Sequence, residues 1–302
     1  MKAYILNLFF IFLLVRGYAQ TTDSIKVSNA TLFFTIHGKG QKILLLSGGP
    51  GLPSSSLAAL DEQLSKRYSS ILFDQRGTGK SYTKPFDSTT INLNQAAEDI
   101  NLLRKKLGVS KIIIVGHSWG AMLALYYATK FSEQTEKLIL IDPGPLSIEM
   151  YPIIEETVMS RTSADEKTIM KTIEDSMAAD KLSMEQKATM AKIDTRLKLY
   201  DARKADSILT LMRNGGKGND VMGDLIMQDL FKTNYDITEK VPNLKMPVIV
   251  ICGRQDPIGL FPAFDIQRLD PRATVYWIER SGHFPWLEEP EAFYEKFFEA
   301  LK

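Results

Sequence analysis

The segment 116–120, GHSWG, places a serine between two glycines, a spacing typical of a nucleophilic serine on a sharp turn. The apolar, β-branched residues 112–115 predict a strand before this turn, and the small residues after it suit a helix. At such a junction the backbone is strained and passes close to itself, so a side chain at either glycine would clash. We therefore identify Ser118 as the candidate nucleophile.

A serine hydroxyl is a weak nucleophile that needs a base, and the base needs an acid to orient it. The chain has 3 histidines. His283 follows the last predicted strand, at the sheet end where Ser118 lies, and is the predicted base. His37 lies in the first predicted hairpin and is interpreted as structural. His117 is the alternative base, although adjacent side chains on such a turn point apart.

The predicted acid is Asp256, which follows the strand before the one that leads to His283. Asp142 follows an earlier strand and is the alternative acid, since some hydrolases place the acid there. Glu279 lies too early beside the last strand. The order Ser118, Asp256, His283 is the chain order of an α/β-hydrolase triad.

The glycine-rich turn 47–51, SGGPG, follows the third predicted strand. Glycine is needed where the backbone must approach a substrate carbonyl closely. We expect the backbone N–H of Gly49, together with that of Trp119 at the start of the helix, to form an oxyanion hole. A plain tight loop is the alternative interpretation of this turn.

The remaining pattern alternates strand with helix, which predicts a mainly parallel sheet of eight strands covered by helices on both faces. Ligands of such sheets bind at the carboxyl ends of the strands, where these turns lie. The predicted strands are a pair within 25–37 and single runs at 42–46, 70–73, 112–115, 137–141, 247–252 and 274–278. The predicted helices are 56–67, 92–107, the one after the serine, and 291–301.

Residues 147–240 interrupt this rhythm and predict an inserted helical cap. Two capping boxes mark helix starts there, Ser163 with Glu166 and Ser183 with Gln186. A glycine-rich break at 214–218 divides the last helices. The many methionines indicate adaptable apolar packing. The hydrolase core is thereby predicted in two parts, 20–146 and 241–302.

The first 19 residues predict a signal peptide cleaved after Ala19. Lys2 supplies the positive start, and the apolar stretch 3–15 is shorter than the roughly 20 residues that span a bilayer. The protein is therefore expected to be exported, to a periplasm or beyond, without stable membrane insertion after cleavage. An uncleaved anchor is the alternative.

The composition excludes several classes of function. Lys and Arg number 37 against 36 for Asp and Glu, which gives no reason to expect nucleic acid or an anionic membrane as a partner. The single cysteine, Cys252, rules out an intrachain disulfide and is interpreted as a buried core residue. So few histidines and cysteines predict no metal site, and no cofactor is expected. The oligomeric state is left open.

Five motifs together resemble the α/β-hydrolase fold and, within it, the prolyl aminopeptidase (proline iminopeptidase) family of serine peptidases. The motifs are 47–51 (SGGPG), 74–81 (DQRGTGKS), 116–120 (GHSWG), 253–256 (GRQD) and 282–283 (GH). The resemblance covers about residues 30–146 and 241–302. It implies a serine peptidase that releases N-terminal proline or similar residues from short peptides through an acyl-enzyme. Residues 74–81 are interpreted as structural, with Arg76 and Asp74 bracing the loop by ion pairing.

Two departures from that family keep a second function open. Ser47 stands where the family has histidine, and the cap 147–240 lacks the family's tryptophans, since the three lie at 119, 277 and 286. A pliable apolar cap suits acyl chains, so the alternative is a carboxylesterase or another small-acyl hydrolase on the same triad. A non-catalytic binding protein on this fold is the third interpretation.

Overall fold

The computed structural model describes residues 20–178, 181–213, 216 and 218–302. The predicted signal peptide, and most of the glycine-rich break at 214–218, lie outside these residues. In the described part of the chain, no helix has the length and apolar character needed to cross a bilayer.

The described residues form one sheet of nine strands in the order β1-β2-β4-β3-β6-β7-β8-β9, with β5 paired to β2. Strands β3, β4 and β6 to β9 are parallel, and β1 and β2 form an antiparallel edge. This confirms the mainly parallel sheet. The strand beyond the eight predicted is β5, which is too short for a periodic signal. The strands are β1 (Gln20–Val27), β2 (Ala30–Gly38), β3 (Lys42–Leu46), β4 (Ser69–Phe73), β5 (Tyr82–Thr83), β6 (Ile112–His117), β7 (Thr135–Ile141), β8 (Val248–Gly253) and β9 (Thr274–Ile278).

Helices cover both faces of the sheet. Alternate side chains of a strand point to opposite faces, and β3 shows the result. Leu44 and Leu46 join one core cluster with residues of α2 and α3, while Ile43 and Leu45 join another with α1 and α11. The helices are α1 (Ala58–Leu64), α2 (Leu93–Lys106), α3 (Trp119–Lys130), α4 (Tyr151–Met159), α5 (Ala164–Ala178), α6 (Met184–Leu197), α7 (Ala205–Arg213), α8 (Asp220–Lys232), α9 (Leu260–Leu269), α10 (Pro285–Glu288) and α11 (Pro290–Ala300).

Helices α4 to α8 occupy the segment between β7 and β8, where the cap is predicted. The chain enters and leaves this segment at neighbouring positions, because Ser147 pairs with Asp236 in an antiparallel bridge. Both predicted capping boxes are present at helix starts, at Ser163 and Ser183. The cap boundaries at 147 and 240 stay predictions.

Five of the six parallel strands carry candidate site residues in the loops at their carboxyl ends, which lie at one edge of the sheet. The loop after β3 carries the glycine-rich turn 47–51, and β6 leads into Ser118. Strand β7 ends before Asp142, β8 leads to Asp256, and β9 leads to His283. The fold therefore gathers every predicted site residue at the carboxyl ends of the strands.

Candidate active site

Ser118 lies on the turn between β6 and α3, with a φ of 54° that a non-glycine residue rarely adopts. The two flanking glycines are required by close approach of the backbone. A Cβ at Gly116 would lie 2.3 Å from the carbonyl oxygen of Gly120, and one at Gly120 would lie 2.2 Å from that of Leu46. The turn is thus a strained, tightly packed support for the serine, as the motif predicts.

His283 and Asp256 form a buried hydrogen-bonded pair, with 2.9 Å between Nδ1 and Oδ2. The backbone N–H of Gly259 also donates to Oδ2, at 2.7 Å, and that of Ile258 donates to Oδ1, at 2.9 Å. Burial alone would raise the pKa of Asp256, but His283 and these donors bring it below its ordinary value. Asp256 is therefore held as a carboxylate against one ring nitrogen, which leaves Nε2 of His283 for a reaction partner.

The loop that carries His283 is fixed from two sides. The backbone N–H of His283 donates to the carbonyl oxygen of Lys198, at the end of α6, over 2.9 Å. The N–H of Gly282 donates to Glu288 Oε1 at 2.8 Å, and the other oxygen of Glu288 accepts from the N–H of Tyr200 at 2.8 Å. Burial raises the pKa of Glu288, and the backbone donors act against that rise. The sequence offered no signal for Glu288 beyond its place near a helix start.

The hydrogen bond and the burial of His117 disfavour it as the base. Its Nε2 lies 2.9 Å from the backbone carbonyl oxygen of His283, and a carbonyl can only accept, so Nε2 carries the proton. Complete burial, reinforced by the nearby His283 ring, lowers the pKa of His117 well below its ordinary value. His117 therefore joins the serine turn to the loop of the predicted base.

His37 lies on β2, where its Nδ1 contacts Asp61 Oδ2 of α1 at 2.5 Å. In the sheet, β4 and β3 separate β2 from β6. This placement agrees with the structural interpretation of His37.

The turn 47–51 passes directly over the candidate nucleophile. A Cβ at Gly48 would lie 2.9 Å from Nδ1 of His117 and 3.2 Å from Ser118 Cβ, so a larger residue there would crowd the serine turn. Gly49 has a φ of +115°, which favours glycine. Trp119 is the first residue of α3, and the first N–H groups of a helix have no intrahelical acceptor. The loop and helix start suit an oxyanion hole, and its assignment to Gly49 and Trp119 stays a prediction.

Gln75 connects the glycine-rich turn to the start of α3. It was not predicted from the sequence as a site residue. Its Oε1 accepts from Trp119 Nε1 at 2.9 Å, and its Nε2 donates to the carbonyl oxygen of Ser47 at 3.0 Å. One buried amide thus holds the helix start and the glycine-rich turn in a fixed relation.

Arg76 braces its loop through an ion pair, as predicted, whereas Asp74 braces it through hydrogen bonds from the backbone. Arg76 forms two bonds to Asp99 of α2, at 2.7 and 2.8 Å, and both side chains are buried. Asp74 instead accepts from the backbone N–H groups of Ser54 and Lys80. Asp99 was missed because it lies on the buried face of α2, where a sequence pattern predicts apolar residues.

The cap contributes Asn219 to the support of the glycine-rich turn. The backbone N–H of Asn219 donates to the carbonyl oxygen of Gly51 at 2.9 Å, and its Nδ2 donates to that of Gly77 at 2.7 Å. Its Oδ1 caps α8 by accepting from the N–H of Met222. The start of α8 therefore holds two core loops at once.

Asp142, the alternative acid, does not orient the predicted base. Nδ1 of His283 is bonded to Asp256 instead. Asp142 is buried, has a φ of 44°, and accepts at Oδ1 from the N–H of Gly253 over 2.8 Å. Burial, and then the neighbouring Asp256, raise the pKa of Asp142 well above its ordinary range.

Asp142, Cys252 and Asp256 each offer a possible metal ligand atom within 4.8 Å of the others. The donor set fits a metal poorly. Three protein N–H groups already donate to the oxygens of Asp256, and burial raises the pKa of the Cys252 thiol well above its ordinary value, which disfavours the thiolate that binds metals. We assign no metal to this cluster.

Comparison with known proteins places the chain in a family. The family model described as alpha/beta hydrolase fold matches residues 42–290. A proline iminopeptidase of Heyndrickxia coagulans is 26% identical over 265 residues, covering 86% of this chain and 90% of that protein. The AB hydrolase superfamily protein YclE of Bacillus subtilis is 26% identical over 272 residues, covering 88% and 93%.

Solved structures agree with this match. A proline iminopeptidase-related protein from Thermus thermophilus superposes with a TM-score of 0.74 at 25% identity, covering 94% of this chain and 97% of that one. Residues 42–290, which match the family model, contain the serine turn and the loops of Asp256 and His283. The chain belongs to the α/β hydrolase fold family.

Proposed function

We propose that the protein is a serine hydrolase that acts through an acyl-enzyme. One observation carries the proposal: the buried His283–Asp256 pair, joined at 2.9 Å, lies on the loops beside the strained turn of Ser118. The bond between His117 and the His283 carbonyl ties those two parts of the site together. A nucleophile, a base and an orienting acid are the three groups that acyl transfer by serine requires.

In the proposed reaction, Ser118 Oγ attacks the substrate carbonyl while Nε2 of His283 takes the hydroxyl proton. Asp256 stabilises the imidazolium that forms. The N–H groups of Gly49 and Trp119 stabilise the oxyanion, a contribution of about 3–4 kcal/mol per donor in comparable sites. His283 then protonates the leaving group, and water releases the acyl group by the same steps.

The proposed substrates are short peptides, from which the enzyme releases an N-terminal proline or a similar residue. Support comes from the relatives named proline iminopeptidase, at 26% identity for that of Heyndrickxia coagulans, and from the motifs at 47–51 and 74–81. We also propose that residues 1–19 direct export and are removed. N-terminal sequencing of the protein recovered after export would give Gln20 as its first residue, and recovery of the full leader would contradict cleavage.

The cap gives a specific reason to retain a small-acyl esterase as the second candidate. The half-buried guanidinium of Arg161 donates to the backbone carbonyl oxygens of Leu197, at 3.1 Å, and of Gln255, next to Asp256. The acids that act on Arg161, Asp256 and Glu288, both lie on the loops that support the predicted base. The cap therefore brings a cation to the acid loop through Arg161, and this suits an ester without an amine better than it suits a substrate ammonium.

The deciding experiment uses residues 20–302 and the Ser118→Ala variant. We would compare kcat/KM for prolyl-p-nitroanilide, its N-acetylated counterpart and p-nitrophenyl butyrate, and label the serine with a fluorophosphonate. Preference for the free amine would support the aminopeptidase. Turnover of the butyrate alone would support the esterase. Neither turnover nor Ser118-dependent labelling would overturn the serine hydrolase and favour a binding protein.

A second variant tests the acid. Asp256→Asn keeps the size of the side chain but removes its charge and favours the wrong histidine tautomer. We expect kcat to fall by about 10⁴-fold with the fold intact, as in triads of this type. A loss smaller than tenfold would argue against Asp256 as the acid.

A further inference from the structure

Two carboxyl groups lie buried at the ends of β7 and β8. Asp142 is 0% exposed and Asp256 is 1% exposed, and one oxygen of each lies within 4.8 Å of the other. Two ionised carboxylates this close, and out of solvent, repel each other so strongly that one of them retains a proton. His283 bonds directly to Asp256 and favours its ionised form. The proton therefore belongs to Asp142.

The hydrogen bonds of Asp256 leave one position open. An ionised carboxylate has about four acceptor positions. Three are filled, by the N–H of Ile258 at Oδ1 and by the N–H of Gly259 and Nδ1 of His283 at Oδ2. A fourth donor would complete the set.

Among the described residues, one of the two oxygens of Asp142 lacks a hydrogen-bond partner. Its Oδ1 accepts from the N–H of Gly253 at 2.8 Å, whereas its Oδ2 is buried with no protein donor against it in the described part of the chain. The thiol of Cys252 also acts on Asp142, but its hydrogen bond is directed to the carbonyl oxygen of Gly253 at 3.5 Å. A proton on Oδ2 of Asp142 changes an unsatisfied acceptor into a donor next to the carboxylate of Asp256, with which Asp142 interacts through its side chain.

We propose that Asp142 is a positioning residue that keeps a proton and donates it in a hydrogen bond to Asp256, so fixing the carboxylate that orients His283. The proposal rests on the proposed serine hydrolase function. No bond of Asp142 breaks during turnover, and its proton stays on it throughout. The titratable groups that act on Asp142 are Asp256, with His283 bonded behind it, and Cys252.

The test compares Asp142→Asn with Asp142→Ala. The asparagine has the same shape, presents N–H donors to Asp256, and keeps an oxygen for the N–H of Gly253. Alanine removes the donor.

Since a hydrogen bond to a charged group is involved, we expect Asp142→Ala to lower kcat by about 10- to 100-fold with little change in KM. We expect Asp142→Asn to restore kcat to within about threefold of the unmodified protein, because the donor is back. Val250→Ala makes a cavity in β8 but leaves both aspartates and Cys252 in place; it controls for loss of packing and should leave kcat unchanged.

The pH profile separates a protonated from an ionised Asp142. If Asp142 is neutral, Asp142→Asn changes no charge, and the acid limb of kcat/KM stays in place. If Asp142 were ionised, the same variant would remove a negative charge from the site and move that limb to lower pH. Such a movement would overturn the proposal, as would equal losses in the asparagine and alanine variants.

An infrared measurement tests the proton without any substrate. The carbonyl stretch of a protonated carboxylic acid should persist at pH 7 in the unmodified protein and disappear in Asp142→Asn. Its absence from the unmodified protein would overturn the proposal even if alanine at 142 prevented folding. Failure to find a substrate would instead count against the proposed function and leave this result standing.

Discussion

Nε2 of His117 donates to the backbone carbonyl oxygen of His283 across 2.9 Å, and the two imidazole rings lie 4.8 Å apart. The residue next to the candidate nucleophile is thus bonded to the main chain of the candidate base. These residues are 166 positions apart in the sequence. The bond sets the distance between the two loops without using either reactive atom.

Replacement of His117 by leucine should lower both kcat and stability. The variant leaves the buried carbonyl of His283 without a donor, which costs about 1–3 kcal/mol in the free energy of unfolding. Urea denaturation measures that loss, and steady-state kinetics measures kcat. His117→Gln retains an N–H donor and should be affected less in both. Equal losses in the two variants would show that packing, not the hydrogen bond, is what matters.

The buried His117 also predicts how stability depends on pH. Its pKa is well below 6.5 in the folded protein and near 6.5 when unfolded, so below that pH the unfolded state binds a proton that the folded state does not. The free energy of unfolding should therefore fall as pH drops below 6.5, by up to about 1.4 kcal/mol per pH unit from this residue. Urea denaturation at pH 7.5, 6.5 and 5.5 would show a shallower decline in His117→Gln. Identical slopes would contradict the assignment.

Asn219→Ala should lower kcat as well as stability, because Asn219 caps α8 and also holds the loop of Gly77 beside the glycine-rich turn. Loss of a helix cap alone costs about 0.5–2 kcal/mol. Asn92→Ala is the matched control, since Asn92 caps α2 through the N–H of Gln95 and its Nδ2 donates to Ser88 rather than to a loop of the site. Both variants should lose similar stability, and only Asn219→Ala should lose kcat. An equal effect on kcat would contradict the role of Asn219.

Arg76→Met should be among the most destabilising changes outside the triad. It leaves Asp99 as a buried charge without its partner, and breaking such a pair costs about 3–5 kcal/mol. In the double variant Arg76→Met with Asp99→Leu, both charges are absent, and much of the stability should return. Urea denaturation of the single and double variants measures this. A double variant as unstable as the sum of its parts would show that the two residues act independently.

The sequence predicted the parts of the site that depend on local pattern. Runs such as 112–115 identify strands, and a serine between glycines identifies the turn, because both signals lie within a few residues. Chain order placed Asp256 and His283 at the same sheet edge, and the structure shows them bonded. Helix starts at Ser163 and Ser183 were predictable for the same reason, since capping is a contact between neighbours.

The supporting polar residues were not predictable because their partners are distant in the chain. Gln75 acts on Trp119, Asp99 on Arg76, and Glu288 on the N–H of Gly282 and of Tyr200. Each is a buried polar side chain with at least one partner distant in the chain, and no periodic pattern marks it. For the same reason the sequence predicted an ion pair for Arg76 but not that its partner is Asp99.

The cap touches the core at both halves of the candidate site, through Asn219 at Gly51 and through the carbonyl of Lys198 at His283. Helix α5, by contrast, is largely exposed. The sequence of this insertion is therefore constrained where it anchors the core loops and free to vary along the exposed α5. Changes on the exposed side of α5 leave both anchoring contacts intact, whereas an exchange of the whole insertion would have to transfer those two contacts as well, or the loops of Gly51 and His283 would lose their support from the cap.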